Sequence, residues 1–323
     1  MSLNDAQVVA ATSVFPFCAK RGIYFADAEV IVTSGRRRIS LRGTSLGFGR
    51  ELSELRCRSE LMERWAHLEW ELNGSPELCG HGMETGRAYS GLGQPGIDEL
   101  PGQPDGSGYC AGPAASTDGI LAHGLLEVIE RDSVVRVLDR HMLPVHDATS
   151  HIPESLLCLL RGQQATAEAW TVYRAGLPPT AVALVRSLNS DGAALGTSCK
   201  YTERDAVTRA VLEGVMMLTT VRHAKRMKSR PPHVDGILWA SDHSAALRDE
   251  LRTMTTARQT ELSRPPRDLP SLLAGARAAF EDEPVAVRFP LRRSRVSDIE
   301  VWRVQVPGAL NPALAERRPW PVG

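Results

Sequence analysis

Ala111–Arg140 reads AGPAASTDGILAHGLLEVIERDSVVRVLDR, and its centre decides the fold. From Asp118 onward the spacing predicts a helix, with Thr117 or Asp118 as its N-cap. Leu125, Leu126, Val128 and Ile129 are apolar on nearly every side, the pattern of a buried helix. Glu127 and Glu130 sit inside that pattern, three apart, and so project from one face. His123 lies four residues before Glu127 on the same face, and Arg131 follows Glu130. Unpaired carboxylates are rarely buried, because stripping water from a charge is costly. Something cationic should therefore meet this face.

A second copy lies upstream. Ser53–Trp70 reads SELRCRSELMERWAHLEW. Glu60 and Glu63 are again three apart, and Arg64 again follows the second. Arg56, Glu60, Glu63 and His67 form one charged stripe at helical spacing, while Leu55, Met62, Trp65 and Leu68 cover other faces. Two E-x-x-E-R helices can bring four carboxylates into one cleft. Such a group repels itself unless divalent cations lie within it, and Mg2+ suits oxygen ligands. Mg2+ usually keeps water and phosphate oxygens, so the pattern points to carboxylates, then metal, then a nucleotide. The plainer alternative is two solvated charged faces.

The 323 residues are 42% hydrophobic and 24% charged, an ordinary globular composition. Lys+Arg and Asp+Glu both number 38, which lends no support to a nucleic-acid footprint. No apolar run approaches membrane length, and the N-terminus does not open as a secretory signal. None of the six cysteines, at positions 18, 57, 79, 110, 158 and 199, forms C-x-x-C, which argues against a zinc knuckle. A cytoplasmic protein with reduced thiols is the expectation. Cys57 and Cys110 flank the proposed site; small buried filler is the expected role and a catalytic thiol the alternative.

Along the chain, Met1–Phe17 carries no clear signature. Ile23–Thr33 and Arg37–Leu46 read as strands joined by a turn at Ser34-Gly35. Leu72–Pro104, rich in Gly and Pro, reads as a long connection. Leu156–Ala165 reads as a helix; Ala169–Tyr173 and Thr180–Leu188 read as strands around a turn at Gly176–Pro179. Asn189–Gly192 is a turn, and Glu203–Lys225 a third long helix. The basic run Arg222–Arg230 is a solvated helix end or an anion contact. Ala246–Asp282 reads as helix interrupted at Pro265, Pro266 and Pro270, and Val285–Phe289 and Ile299–Val306 as closing strands. Strand-like sequence precedes a Glu-bearing helix more than once, which predicts an α/β (α+β) fold of mixed sheets with the charged site on its helices.

Three blocks give the chain a resemblance to a known family. They are Gly47–Arg64; Ser107–Asp132, SGYCAGPAASTDGILAHGLLEVIERD; and Gly196–Glu213, GTSCKYTERDAVTRAVLE. With a weaker fourth match, VWRVQVPGALNP, they resemble the YcaO proteins, ATP-dependent enzymes that activate backbone amides. The second block looks like the family's S-N-G-x-A-x-G stretch and H-A-L-L-E-x-I-E-R-D helix, with a short insertion near Ala114–Ser116. The third is similar to its Gly-rich turn and R-A-x-x-E helix. The chain departs from the family at Ser45-Leu46-Gly47, where members have G-K-G, at Arg56 in place of Ser, and at Met216, Met217 and Leu218 beyond Glu213.

The resemblance implies one YcaO-like domain over residues 1–323: an N-terminal extension with the first strand (1–40), a core (41–312) and a Pro-containing tail (313–323). It implies ATP and Mg2+ as cofactors, with Glu60, Glu63, Glu127 and Glu130 as Mg2+ ligands and Arg64, His123, Arg131, Lys200, Arg209 and Glu213 in the ATP site. A nucleophile adds to a peptide amide carbon, the oxyanion takes the γ-phosphoryl group, and phosphate leaves with the former amide oxygen. A Cys, Ser or Thr nucleophile yields a thiazoline or oxazoline during maturation of a ribosomally made peptide; sulfide yields a thioamide and an amine an amidine. A catalytically silent docking subunit and a different ATP-using ligase stay open. Azoline-forming members often end in P-x-P-x-P, and Pro319-Trp320-Pro321-Val322-Gly323 looks like a shortened form. Pro319, Pro321 and Gly323 are thus catalytic candidates, the terminal carboxylate acting as a base. The implied partners are a precursor peptide and a separate leader-peptide-binding protein, ubiquitin-activating-enzyme-like, or TfuA-like if a thioamide is made. Neither nucleic acid nor membrane is implied, and a homodimer is open.

Overall fold

The computed structural model describes residues 7–34, 37–72, 78–90, 99–100, 103–104, 106–138, 143, 145–189, 192–225, 238, 241–255, 266–289 and 299–310. They fall into two compact units, Met1–Leu125 with Asp282–Gly308, and Leu126–Glu281 with Ala309–Gly323.

In the first unit, strands β1 (Gln7–Cys18), β2 (Ile23–Ser34) and β3 (Arg37–Phe48) form an antiparallel sheet in chain order. Along β2 the residues alternate, and Ala26, Ala28, Val30 and Val32 are buried on one face. Helix α1 (Arg50–Leu72) lays Cys57, Leu61 and Trp65 on that face. Its Ala66 and Trp70 turn to a second cluster with Leu78, Val285, Val287, Phe289 and Val301. That cluster lies on a five-stranded antiparallel sheet, ordered β5 (Ala88–Tyr89), β4 (Gly80–Gly82), β13 (Val285–Arg288), β14 (Ile299–Val306), β8 (Gly106–Pro113). A short pair, β6 (Glu99–Leu100) with β7 (Gln103–Pro104), precedes β8. Helix α1 is therefore covered on two sides. Full burial of each large apolar side chain there is worth about 1.5–3 kcal/mol.

The second unit centres on a four-stranded antiparallel sheet, ordered β12 (Ala193–Cys199), β11 (Thr180–Ser187), β10 (Ala165–Val172), β9 (His146–Asp147). Every residue of Thr180–Val185 is buried, because helices cover both faces. Val134, Val137 and Leu138, late in α2 (Thr117–Leu138), join Trp170, Val172, Val182, Leu184 and residues of α5 (Ser244–Thr253) on one face. Helix α4 (Glu203–Ala224) packs the other, with Thr202 accepting from the Asp205 amide as N-cap. Helix α3 (Glu154–Gly162) buries Leu156, Leu159 and Leu160. Helix α6 (Leu269–Phe280) starts in a capping box between Asp268 and Ser271.

The α/β build with strand-then-helix units is what the structure has: β3 leads into α1, β8 into α2 and β12 into α4. Several local readings are corrected. Met1–Phe17 contributes most of β1 rather than featureless chain, and the connection Leu72–Pro104 contains four short strands. Thr117 is already helical (φ −54°, ψ −45°) behind a 3-10 turn at Ala114–Ser116, so it is not the N-cap. Its hydroxyl instead meets the Ala114 carbonyl and Glu300. Gly196 lies within β12, not in a turn. Pro270 sits in the first turn of α6, where a missing amide costs nothing, and so does not interrupt a helix. Among the described residues, no helix is long and apolar enough to cross a membrane. The turn at Asn189–Gly192, the end of the basic run Arg222–Arg230 and Gly35 fall partly or wholly outside the described residues.

Candidate functional site

Two of the Glu-bearing helices, α1 and α4, are each held against the strand before them by a glycine. A Cβ on Gly43 of β3 would lie 2.2 Å from the Cys57 carbonyl oxygen of α1. One on Gly196 of β12 would lie 2.1 Å from the Ala210 carbonyl oxygen of α4. Only glycine lets these backbones approach so closely. The approach brings carboxylates to the edges of the sheets.

In the first unit, Glu60 accepts the Thr44 amide of edge strand β3 through Oε2 (2.9 Å) and Arg64 through Oε1 (2.7 Å). Arg64 is nearly half exposed, so as an ion pair this contact is worth only a few tenths of a kcal/mol. Glu63 is half-buried one turn on. His67 packs edge-on against Trp70 and Tyr109, and His123 is exposed near the start of α2.

In the second unit, Glu127 pairs with Arg131 at 2.5 Å, so both E-x-x-E-R copies link their first Glu to their Arg. Glu130 accepts the Thr197 hydroxyl (2.6 Å) and the Cys199 amide (3.0 Å) from β12, again an edge strand. Glu213 of α4 faces the same place. Burial, then the nearby charge of Glu130, pushes its carboxyl up to about 8, against the pull of Arg209, Lys200 and a backbone hydrogen bond at Thr197. Although part of the Glu213 side chain reaches solvent, protein surrounds its carboxyl closely enough for lost hydration to dominate.

The structure thus gathers Glu130, Lys200, Arg209 and Glu213 in one place, and pairs Glu127 with Arg131 and Glu60 with Arg64. Pro319, Pro321 and Gly323 lie outside the described residues. Sequence reasoning missed Thr44, Thr197 and Cys199, which orient Glu60 and Glu130. Thr197 and Cys199 stand in the quoted GTSCK block, but the Thr44 and Cys199 amides leave no mark on residue type, and the Thr197 hydroxyl by itself names no partner. Burial pushes the Cys57 and Cys199 thiols up to about 12, the state of inert protonated thiols. Cys57 donates to the Gly43 carbonyl and Cys110 to that of Trp302, so both serve as filler.

Two adjacent carboxylates, one of them driven toward neutrality, suit a divalent cation, which would let both ionise. Among the described residues no three His, Cys, Asp or Glu side chains already form a metal cluster. Mg2+ itself takes one or two carboxylates and completes its shell with water and phosphate. The two hydrogen bonds on Glu130, one to each oxygen, leave lone pairs for such an ion.

Residues 105–310 match the family model described as YcaO cyclodehydratase, ATP- and Mg2+-binding. No curated protein sequence matches the chain. Among solved structures, it is similar to YcaO from Methanopyrus kandleri bound with AMPPCP and Mg2+, at 18% identity and a TM-score of 0.65, covering 98% of this chain and 91% of that one. The E. coli microcin synthetase McbBCD complex is 12% identical with a TM-score of 0.62, covering 92% and 87%. A heterocyclase in complex with substrate and cofactor is 14% identical with a TM-score of 0.63, covering 95% of this chain and 50% of that one. At these identities the solved structures speak for the fold, whereas the family model spans more than half of the chain. With the E-x-x-E-R helices and the carboxylates fixed on strand edges, this match shows that the chain belongs to the YcaO family, an ATP-dependent enzyme whose cofactors are ATP and Mg2+.

Proposed function

We propose that the chain activates a backbone amide of a ribosomally made precursor peptide, closing Cys, Ser or Thr side chains into thiazolines or oxazolines. The observation that carries this reading is the fixed, partly neutralised pair Glu130 and Glu213 beside Lys200 and Arg209, in a chain of this family. When bound, Mg2+ and ATP supply the phosphoryl group that makes the amide oxygen a leaving group. Glu60, Glu63, Glu127 and Glu130 act as Mg2+ ligands. Thr44 holds Glu60, and Thr197 and Cys199 hold Glu130, each in one orientation. Arg64 and Arg131 leave their glutamates to meet phosphate as planar donor forks. Lys200 and Arg209 counter the negative charge, Glu213 completes the pocket, and His123 contacts nucleotide or moves a proton. Phosphoryl transfer needs mainly such positioning and charge neutralisation.

The tail Pro319–Gly323 supplies a terminal carboxylate as base for the adding nucleophile. A separate leader-binding protein presents the precursor, and the whole chain acts as one YcaO-like domain. The microcin synthetase is a complex, and a related structure contains pro-MccB17; both support a peptide substrate and a partner. Thioamide or amidine formation is the second reading, since the site residues do not select the nucleophile.

Glu130→Gln and Glu60→Gln should each lower Mg2+-dependent ATP hydrolysis by about 100-fold or more, while circular dichroism stays unchanged. Wild-type rates in both would remove the metal assignment. Deleting Pro319–Gly323 should spare ATP affinity and slow precursor modification, followed by mass spectrometry, about 10²–10⁴-fold. An undiminished rate would leave the tail without a role.

A further inference from the structure

Asp132 directly follows Arg131, yet it faces away from the carboxylate stripe. At about 100° per residue it lies about 140° around α2 from Glu127 and about 160° from Glu130. Its side chain is 0% exposed. Arg136, one turn on, donates Nε to both oxygens at 3.0 and 2.8 Å. Arg174, just after β10, reaches Oδ2 from a second segment. The Leu310 amide, just beyond β14, donates to Oδ1 at 2.9 Å. Arg174 is itself held, donating to the Ala279 carbonyl at 3.3 Å and lying over the Phe280 ring at 4.9 Å, both at the end of α6. A carboxylate offers about four lone-pair directions, and this network fills them. The buried charge is thereby paired and hydrogen-bonded throughout.

We propose that Asp132 is a positioning residue for the active site. From the back of α2, it fixes the rotation and height of the face carrying Glu127, Glu130 and Arg131, using Arg174 and the Leu310 amide as outside anchors. This rests on the reading of that face as the Mg2+ and nucleotide site. It adds that the site is held by two further segments, those of Arg174 and Leu310, neither of which is on the face itself. Rotamers locked from behind are what a loosely built metal site lacks, and losing outer partners of metal ligands typically costs about 10–100-fold in metal affinity or activity.

The test is ATP hydrolysis as a function of Mg2+ concentration, using the full-length protein, on Asp132→Asn, Arg174→Lys and Leu310→Pro. Asparagine keeps the shape of Asp132 but turns one acceptor into a donor facing the guanidinium groups. Arg174→Lys keeps the charge and loses the fork. Leu310→Pro removes a single amide hydrogen and leaves every side chain of the network in place. In variants that keep the wild-type circular dichroism, half-saturating Mg2+ should rise about tenfold for Asp132→Asn and Arg174→Lys, and less for Leu310→Pro. A merely structural Asp132 would lower the melting temperature without moving the Mg2+ requirement of the folded enzyme. Should Asp132→Asn not fold, Arg174→Lys decides by the same readout. A wild-type Mg2+ dependence in the folded variants overturns the proposal. Glu130→Gln, run alongside, separates the two ideas: full hydrolysis there sinks the site itself, whereas its loss combined with unaffected Asp132 and Arg174 variants sinks only the positioning role.

Discussion

Glu213 shows how one residue can report on the site before any ligand is added. Its ordinary carboxyl value, 4.5, applies to the unfolded chain; burial beside Glu130 raises it to about 8 in the fold. Between those two values the folded protein holds a proton that the unfolded chain has lost. Stability from this group is therefore complete below about pH 4.5, falls as pH rises toward 8, and is lost above it. The slope in that window is at most about 1.4 kcal/mol per pH unit. Urea unfolding of the metal-free protein from pH 5.5 to 8 should show this decline, and Glu213→Gln, which cannot ionise, should flatten it. Parallel curves for the two proteins would mean that Glu213 is hydrated and uncoupled from Glu130. The paired glutamates of α2 were legible in the sequence, because carboxylates set three apart within an apolar helix require a cation to meet them. Thr197 and Cys199 were not: their role rests on strand–helix proximity that neither residue type announces.

Strand–helix seams carry the element-scale lesson. The helices were readable because α1 and α4 set residues at helical spacing over 23 and 22 residues, and α2 sets its carboxylates three apart within a mostly apolar helix of 22 residues. Strand β1 was not, since Gln7–Cys18 contains no charged residue and so shows no contrast between faces. Strands β4 and β5, of three and two residues, are too short for alternation to register. Gly196 misled differently. The resemblance to the family's Gly-rich turn suggests a turn there, but Gly196 is a contact in an extended strand, pressed against the α4 backbone at Ala210 and Gly214. A methyl group there meets backbone that cannot rotate away. Gly196→Ala should thus destabilise by about 1–3 kcal/mol through overpacking, read as a lower urea midpoint. The control is Gly162→Ala at the end of α3, where a Cβ meets nothing within 4 Å; it should be neutral or stabilise by up to about 1 kcal/mol. Equal midpoints for the two variants would show that β12 and α4 can separate at no cost, and that the seam does not set the position of Glu213.

For the whole molecule, the proposed site sets acidic side chains, only some of them paired with Arg64 and Arg131, where a bound cation would stabilise the fold further. Glu60 and Glu63 belong to the first unit, and Glu127, Glu130 and Glu213 to the second, so under the proposed function each unit carries acidic side chains that gain from a cation. A ligand bound only by the folded state stabilises it by mass action, about 2.7 kcal/mol at 100 times Kd. For a unit of this size that is roughly a 5–10 °C rise in melting temperature. Mg2+ with ATP should produce such a shift. ATP alone should do far less, since its phosphates would meet the glutamates with no divalent cation between them. Mg2+ alone should give a small shift, because it must then complete its shell with water rather than phosphate. The effect should also grow from pH 6 to pH 8, as the proton that Glu213 holds in the free protein ceases to compete with metal. Thermal unfolding at both pH values, with each ligand separately and together, checks all of this at once. Equal shifts from ATP with and without Mg2+ would place the nucleotide away from the glutamates. A shift independent of pH would separate Glu213 from the metal while leaving the other carboxylates in place.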